Sequence, residues 1–247
     1  MWLRQMKRFL RSKSRIVGMI VQPIFFLFIL GGGLRGASIP GMQGTDSLEF
    51  IAPGIITMAI LFSSIFTGIS ILWDRQFGFL QEVLVAPISR FSIIVGRTLG
   101  GATTALIQGF IILIISLGIG VTIHSITGLV LTIIFMSLTA FTAVGVGLSI
   151  ASKIQDSQGF QIIMNLIILP LFFLSSAIVP IATNPNLPDF IVNASFLNPL
   201  FFMVDGMRGS LTGSNNFFDP LFDLLLVLII CSVVMIIGGY LFNKSEA

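Results

Sequence analysis

From Thr98 to Ser152 the chain contains no Asp, Glu, Lys or Arg. A bilayer core of about 30 Å takes roughly 20 residues of helix, so this stretch is too long for one crossing. It divides at Thr122–Gly128, giving spans at 98–121 and 128–151. Composition carries the same message to the whole chain. Charged residues are 9% of it and hydrophobic residues 55%, with a mean hydropathy of +1.04. Soluble domains carry about 25% charged residues, so an ordinary cytosolic enzyme, a disordered chain and a coiled coil are excluded. Further uncharged stretches place spans at 16–34, 50–73, 159–179 and 224–242, six in all. None shows the alternation of a barrel strand, and backbone groups in lipid must be satisfied within the segment, so the spans are helices. Pro23 and Pro170 fall inside spans and predict kinks rather than ends. The fold class is therefore all-α, one polytopic membrane domain over 1–247.

Lys and Arg set the orientation. Six spans put both termini on one side, with Arg4, Lys7, Arg8, Arg11, Lys13, Arg15, Arg75, Arg90, Arg97, Lys153 and Lys244. The other side keeps Arg35 and Arg208, and eleven cations against two predict cytoplasmic termini. The opening fifteen residues carry six cations, and the apolar run behind them lacks a small-residue cleavage site, so no signal peptide is expected. Arg4, Arg8, Arg11 and Arg15 follow helical spacing, with Trp2, Leu3, Met6, Phe9 and Leu10 on the other side. Such a helix lies in the membrane interface with its cations toward anionic headgroups.

Two extramembrane segments exceed simple turns. Residues 73–97 fall on the cytoplasmic side, where Asp74, Arg75, Phe77, Leu80, Glu82 and Leu84 read as a short amphipathic helix ending at Pro87. A helix of that kind fits a groove on a soluble partner; the alternative is a helix lying on lipid. Residues 180–220 fall outside, and their apolar run Phe190–Val204 is too short to cross, which predicts a re-entrant or interfacial helical element.

Several chemistries are missing. No Gly-Lys dipeptide occurs, so no P-loop is present to bind ATP. His124 is the one histidine and falls in a loop, Cys231 is the one cysteine, and no catalytic or metal constellation can be assembled. The spans hold almost no ionisable residues, which argues against an ion-coupled carrier; Asp219 and Asp223 are expected to face the outside before the last span. The chain is expected not to be an enzyme, to hold no cofactor or metal, and to bind no nucleic acid. A transporter of this description needs energy from a partner.

Three stretches carry a family resemblance: Phe50-Ile51-Ala52-Pro53-Gly54; the segment with Asp74, Gly78 and Pro87 followed by Ser89-Arg90 and Gly96-Arg97; and Leu197-Asn198-Pro199-Leu200 running to Asp205-Gly206-Met207-Arg208-Gly209. Their order and spacing resemble the permease subunit of ABC-2 type transporters, nearest the daunorubicin-resistance drug exporters. The resemblance implies two associated permeases, identical or paralogous, each bound to an ABC ATPase that carries ATP and Mg. It implies a coupling helix at 74–90 meeting that ATPase through Asp74, Arg75, Gly78, Leu80, Glu82, Pro87 and Arg90. Gly78 would admit a partner backbone closely, and Pro87 would fix the exit angle. It implies an interfacial helix with Arg4, Arg8 and Arg11 in contact with membrane lipids, and an outer gate containing Asn198, Pro199, Asp205 and Arg208. The i, i+3 spacing of Asp205 and Arg208 suits either an exposed ion pair bracing that gate against the last span or a solvated helix end. The substrate is unidentified. Phe25, Phe26, Phe28, Phe62, Phe66, Phe172 and Phe173 suit a hydrophobic or amphipathic compound or plain lipid contact. Export of a polysaccharide or glycoconjugate is the alternative, disfavoured by one Tyr and two Trp, and a non-transporting scaffold is an alternative of another class.

Overall fold

The computed structural model describes residues 1–34, 40–41, 46–78, 90–154 and 156–245. Among them every regular element is helical: α1 (Trp2–Arg11), α2 (Lys13–Phe26) continuing as a π-helical stretch Leu27–Gly32, α3 (Ser47–Gln76), α4 (Arg90–Ile119), α5 (Ile126–Ala151), α6 (Ser157–Phe173), α7 (Asp189–Phe196), α8 (Pro199–Thr212) and α9 (Pro220–Ser245). Helices α3, α4, α5 and α9 are each long and apolar enough to cross a bilayer. Helix α1 meets the α2 unit at 74°, and α7 meets α8 at 82°; counting each bent pair as one span raises the number to six. Helix α6 has 17 residues, a rise of about 25 Å and the lower limit for a crossing. It ends at Phe173, six residues short of the expected Val179, with Pro170 inside its last turn.

Helix α3 is the axis of the bundle. Its most apolar window is 89% buried, against 22% for α9. It starts sharply because the Asp46 carboxylate accepts from the Leu48 N–H. Small residues let neighbours approach it: a side chain at Gly54 would strike the Ala177 carbonyl, and one at Gly68 would strike Phe160. Ser125 caps α5 by accepting from the Gly128 N–H, fixing the break between α4 and α5 where an uncharged run required one.

The two ends of the bundle differ. Ile71, Ile94, Leu148 and Phe242 pack together at the end where α1 lies, so both the first and the last helix reach it. The opposite end gathers the start of α3, the α4–α5 turn, the chain after α6, and α7 and α8.

Three boundary expectations are corrected. Asp74 and Arg75 belong to α3 and do not begin a separate amphipathic helix; α3 ends at Gln76 and Gly78 has φ +74°, which breaks any single helix across 74–90. Helix α4 begins at Arg90, so Arg97 lies two turns inside a helix rather than at the end of a loop. Asp223 is fully buried in the first turn of α9, where its Cβ packs over Gly206, and does not face solvent.

Candidate functional site

At the end that carries α1, one carboxylate joins three helices. Ser63, Thr67, Ser70 and Asp74 recur at i, i+4, i+7 and i+11 and form a polar stripe on otherwise apolar α3. Asp74 is 6% exposed. Arg4 of α1 donates to both its oxygens, Nη2 to Oδ1 at 2.9 Å and Nη1 to Oδ2 at 3.1 Å. Arg8 reaches Oδ1 at 3.5 Å, and Arg97 of α4 approaches Oδ2 at 3.1 Å. Arg97 is 1% exposed, whereas the side chains of Arg4 and Arg8 are 39% and 42% exposed. The Arg8 guanidinium also stands 5.9 Å from the centre of the Trp73 ring.

The sequence places α1 here for steric reasons as well as electrostatic ones. Gly96 and Gly100 of α4 sit under Met1 and Gln5, and a Cβ at either position would collide with them. Trp2 Nε1 donates to Thr103 Oγ1 at 3.1 Å, and Phe9 is buried. A cavity of about 40 Å³ remains between α1, α2, α3 and α4, lined by Gln5, Ser63, Thr67, Ser70 and Thr104 beside the arginines.

Asp74, expected to face a soluble partner, is thus turned into the bundle. Gly78 was expected to admit a close backbone. Among the described residues nothing lies within 4 Å of a Cβ there, and its positive φ by itself favours glycine, with its N–H donating to the Arg75 carbonyl as α3 closes. Arg75 is half-buried. Leu80, Glu82 and Pro87 lie outside the described residues, and of Arg90 only the backbone, opening α4, is described. Arg11 is exposed on α1.

At the opposite end a buried arginine plays the joining role. Arg208 of α8 is 1% exposed. Its Nε donates to the Phe50 carbonyl at 3.1 Å and its Nη2 to the Ser176 carbonyl at 2.6 Å, and the guanidinium lies 3.7 Å from the centre of the Phe50 ring. One side chain therefore ties α8 to the start of α3 and to the turn after α6, where Ser176 holds φ +56°. The expected pair with Asp205 exists at 3.8 Å, but both side chains are buried rather than exposed. Asp205 chiefly accepts from the Phe217 and Phe218 N–H groups, at 2.8 and 2.9 Å, and so holds the loop that enters α9. Asn198 caps α8 by accepting from the Leu200 N–H and donates to the Leu171 carbonyl of α6, with Pro199 at the first helical position. A cavity of about 250 Å³ lies beside these groups.

Arg97 inside α4 and buried Asp223 are the two charged residues whose surroundings the sequence does not announce. The signal for Arg97 was its place between Gly96 and Gly100, at the edge of the longest uncharged run.

Residues 1–212 match the family model described as ABC-2 type transporter. The chain belongs to the ABC-2 type transporter family. It is 28% identical to the inner membrane transport permease YadH of Escherichia coli K12 over 242 residues, covering 97% of this chain and 90% of that one. It is 26% identical to the transport permease ycf38 of Cyanophora paradoxa, over 96% of this chain and 85% of the relative. Nodulation protein J of Rhizobium leguminosarum bv. viciae is 27% identical over 81% of this chain and 76% of its own length. ABC-2 permeases are membrane transport proteins that work with an ABC ATPase subunit and are not enzymes in themselves.

Proposed function

We propose that this chain is the transmembrane subunit of an ABC exporter, crossing the bilayer six times with both termini cytoplasmic. It moves a hydrophobic or amphipathic compound, drug-like or lipid-like, outward, using ATP and Mg bound on a separate ATPase subunit. The observation that carries this reading is the Asp74 cluster in a member of the ABC-2 family. Asp74 on α3 and Arg97 on α4 flank the segment between Gly78 and Arg90, where the ATPase contact is placed. Force on that segment then reaches α3 and α4 together, and α1 follows through Arg4 and Arg8.

Helix α3 carries the displacement across the membrane. From Asp74 to Phe50 it rises about 36 Å, and at Phe50 its carbonyl is held by Arg208. A shift of α3 acts on the Arg208 contacts to Phe50 and Ser176, and through α8 on Asn198, Pro199 and Asp205, the residues assigned to the outer gate. Because α3 fills the centre of one bundle, the conduit is assigned to the interface with a second permease. Exposed Phe25 and Phe28 on the first span and Phe173 on α6 suit its apolar walls.

Inverted membrane vesicles containing the permease and its ATPase test this. Uptake of a fluorescent amphipathic dye should require ATP and continue when ionophores collapse the proton and sodium gradients. Uptake that needs a gradient and not ATP would contradict it.

A further inference from the structure

Helix α1 carries Arg4, Lys7, Arg8 and Arg11 and no acid. Arg4 and Arg8 turn toward Asp74, but Lys7 and Arg11 are exposed and have no ion-pair partner among the described residues. An open groove is lined by Leu3, Arg4, Lys7, Arg8, Arg11 and Ser12. Arg4, Arg8 and Arg97 therefore converge on Asp74, and Lys7 and Arg11 stand outside that cluster. The same helix leaves Leu3 61% and Leu10 65% exposed. Cations and apolar side chains side by side on one helix suit a ligand with an anionic head and an apolar body, and basic clusters on amphipathic helices bind anionic lipids.

We propose that this groove is a binding site for the phosphate headgroup of an anionic phospholipid, which competes with Asp74 for Arg8. Arg8 is the member suited to exchange. Its contact with Asp74 is the longest of the three at 3.5 Å, it is 42% exposed, and it lines both the groove and the inner cavity. Arg4, bidentate to Asp74, and buried Arg97 keep the carboxylate held when Arg8 swings out. The lipid thereby loosens α1 from α3 without dissolving the junction of α3 with α4, so anionic lipid sets how firmly α1 follows the coupling movement. The binding claim needs no assumption about the substrate; only this last consequence rests on the transport reading.

Trp73 lies under Arg8 and reports the exchange. The full chain with Trp2→Phe, purified in a neutral detergent, is titrated with phosphatidylglycerol, phosphatidylcholine or glycerol phosphate while Trp73 fluorescence is followed. Phosphatidylglycerol should give a saturable change at least tenfold tighter than phosphatidylcholine, and glycerol phosphate at the same concentrations should give none. Each cation removed should weaken binding about fivefold, so Lys7→Gln with Arg11→Gln should lose roughly 25-fold. Lys7→Arg with Arg11→Lys should retain the preference and serves as the folding control. Equal response to the two lipids, or an unchanged preference in the double Gln variant, would overturn the proposal. So would glycerol phosphate acting as well as the lipid, which would make this a free-anion site. Loss of the ATPase from the double Gln variant with lipid preference intact would make the face a protein contact instead, and would equally overturn it.

Discussion

Asp74→Asn separates the two kinds of arginine that meet this carboxylate. Arg97 is 1% exposed, and removing one partner of a buried pair costs about 3–5 kcal/mol because the remaining charge stays desolvated. Arg4 and Arg8, each about two-fifths exposed, rehydrate, and each contributes about 0–1 kcal/mol. Nearly all of the loss therefore belongs to Arg97. At about 2–4 °C per kcal/mol for a chain of this size, the midpoint of thermal unfolding should fall by roughly 6–20 °C. Arg8→Gln should shift it by less than about 4 °C. Arg97→Met alone should also destabilise, by stranding Asp74 among fewer cations. The Asp74→Asn, Arg97→Met double variant should then lose clearly less than the two single changes added together. Thermal unfolding of detergent-purified protein, read by Trp fluorescence, measures all four. Strict additivity of the two changes, or equal small shifts for Asp74→Asn and Arg8→Gln, would refute a buried Asp74–Arg97 pair.

At the opposite end, Arg208→Lys keeps the charge but loses the fork that reaches both Phe50 and Ser176; with charged hydrogen bonds at about 1.5–3 kcal/mol each, a loss of roughly 3 kcal/mol is expected by chemical denaturation, and a neutral result would remove Arg208 as the tie between α8 and α3. Gly78→Ala meets no neighbour among the described residues yet forces a left-handed residue, so it should cost about 1–2 kcal/mol, with Gly78→Trp costing no more; a benign Ala and a damaging Trp would instead point to a crowded site. In a Cys231→Ala background, Asn186→Cys should react with an impermeant thiol reagent added outside intact cells and Lys153→Cys should not; the reverse pattern would invert the topology drawn from the eleven-to-two cation bias.

What was legible in the sequence follows from the physics of each feature. The long uncharged runs announced the helices because lipid imposes one requirement on every residue of a span, and the break at Thr122–Gly128 was readable because Ser125 and Gly128 are local capping residues. The start of α8 at Asn198-Pro199 was not read, because the apolar run 190–204 continues across it and hides the cap. Asp74 and Arg97 were misplaced because charge marks a membrane boundary only while it is unpaired. A carboxylate and a guanidinium that neutralise each other can sit inside the helices, and the pairing spans residues far apart in sequence. Arg208 was conspicuous as a cation against the charge bias. Its reason, two backbone carbonyls on separate elements, depends on how the turn after α6 crosses α3 and has no local signature.

The dependence on a separate ATPase is tested most directly by purifying tagged permease from native membranes into proteoliposomes. An ABC ATPase should co-purify, and ATP-driven transport should vanish when that subunit is stripped with the permease left folded, then return when it is added back. Transport that persists after the ATPase is gone, or ATP hydrolysis by the permease alone, would contradict the assignment.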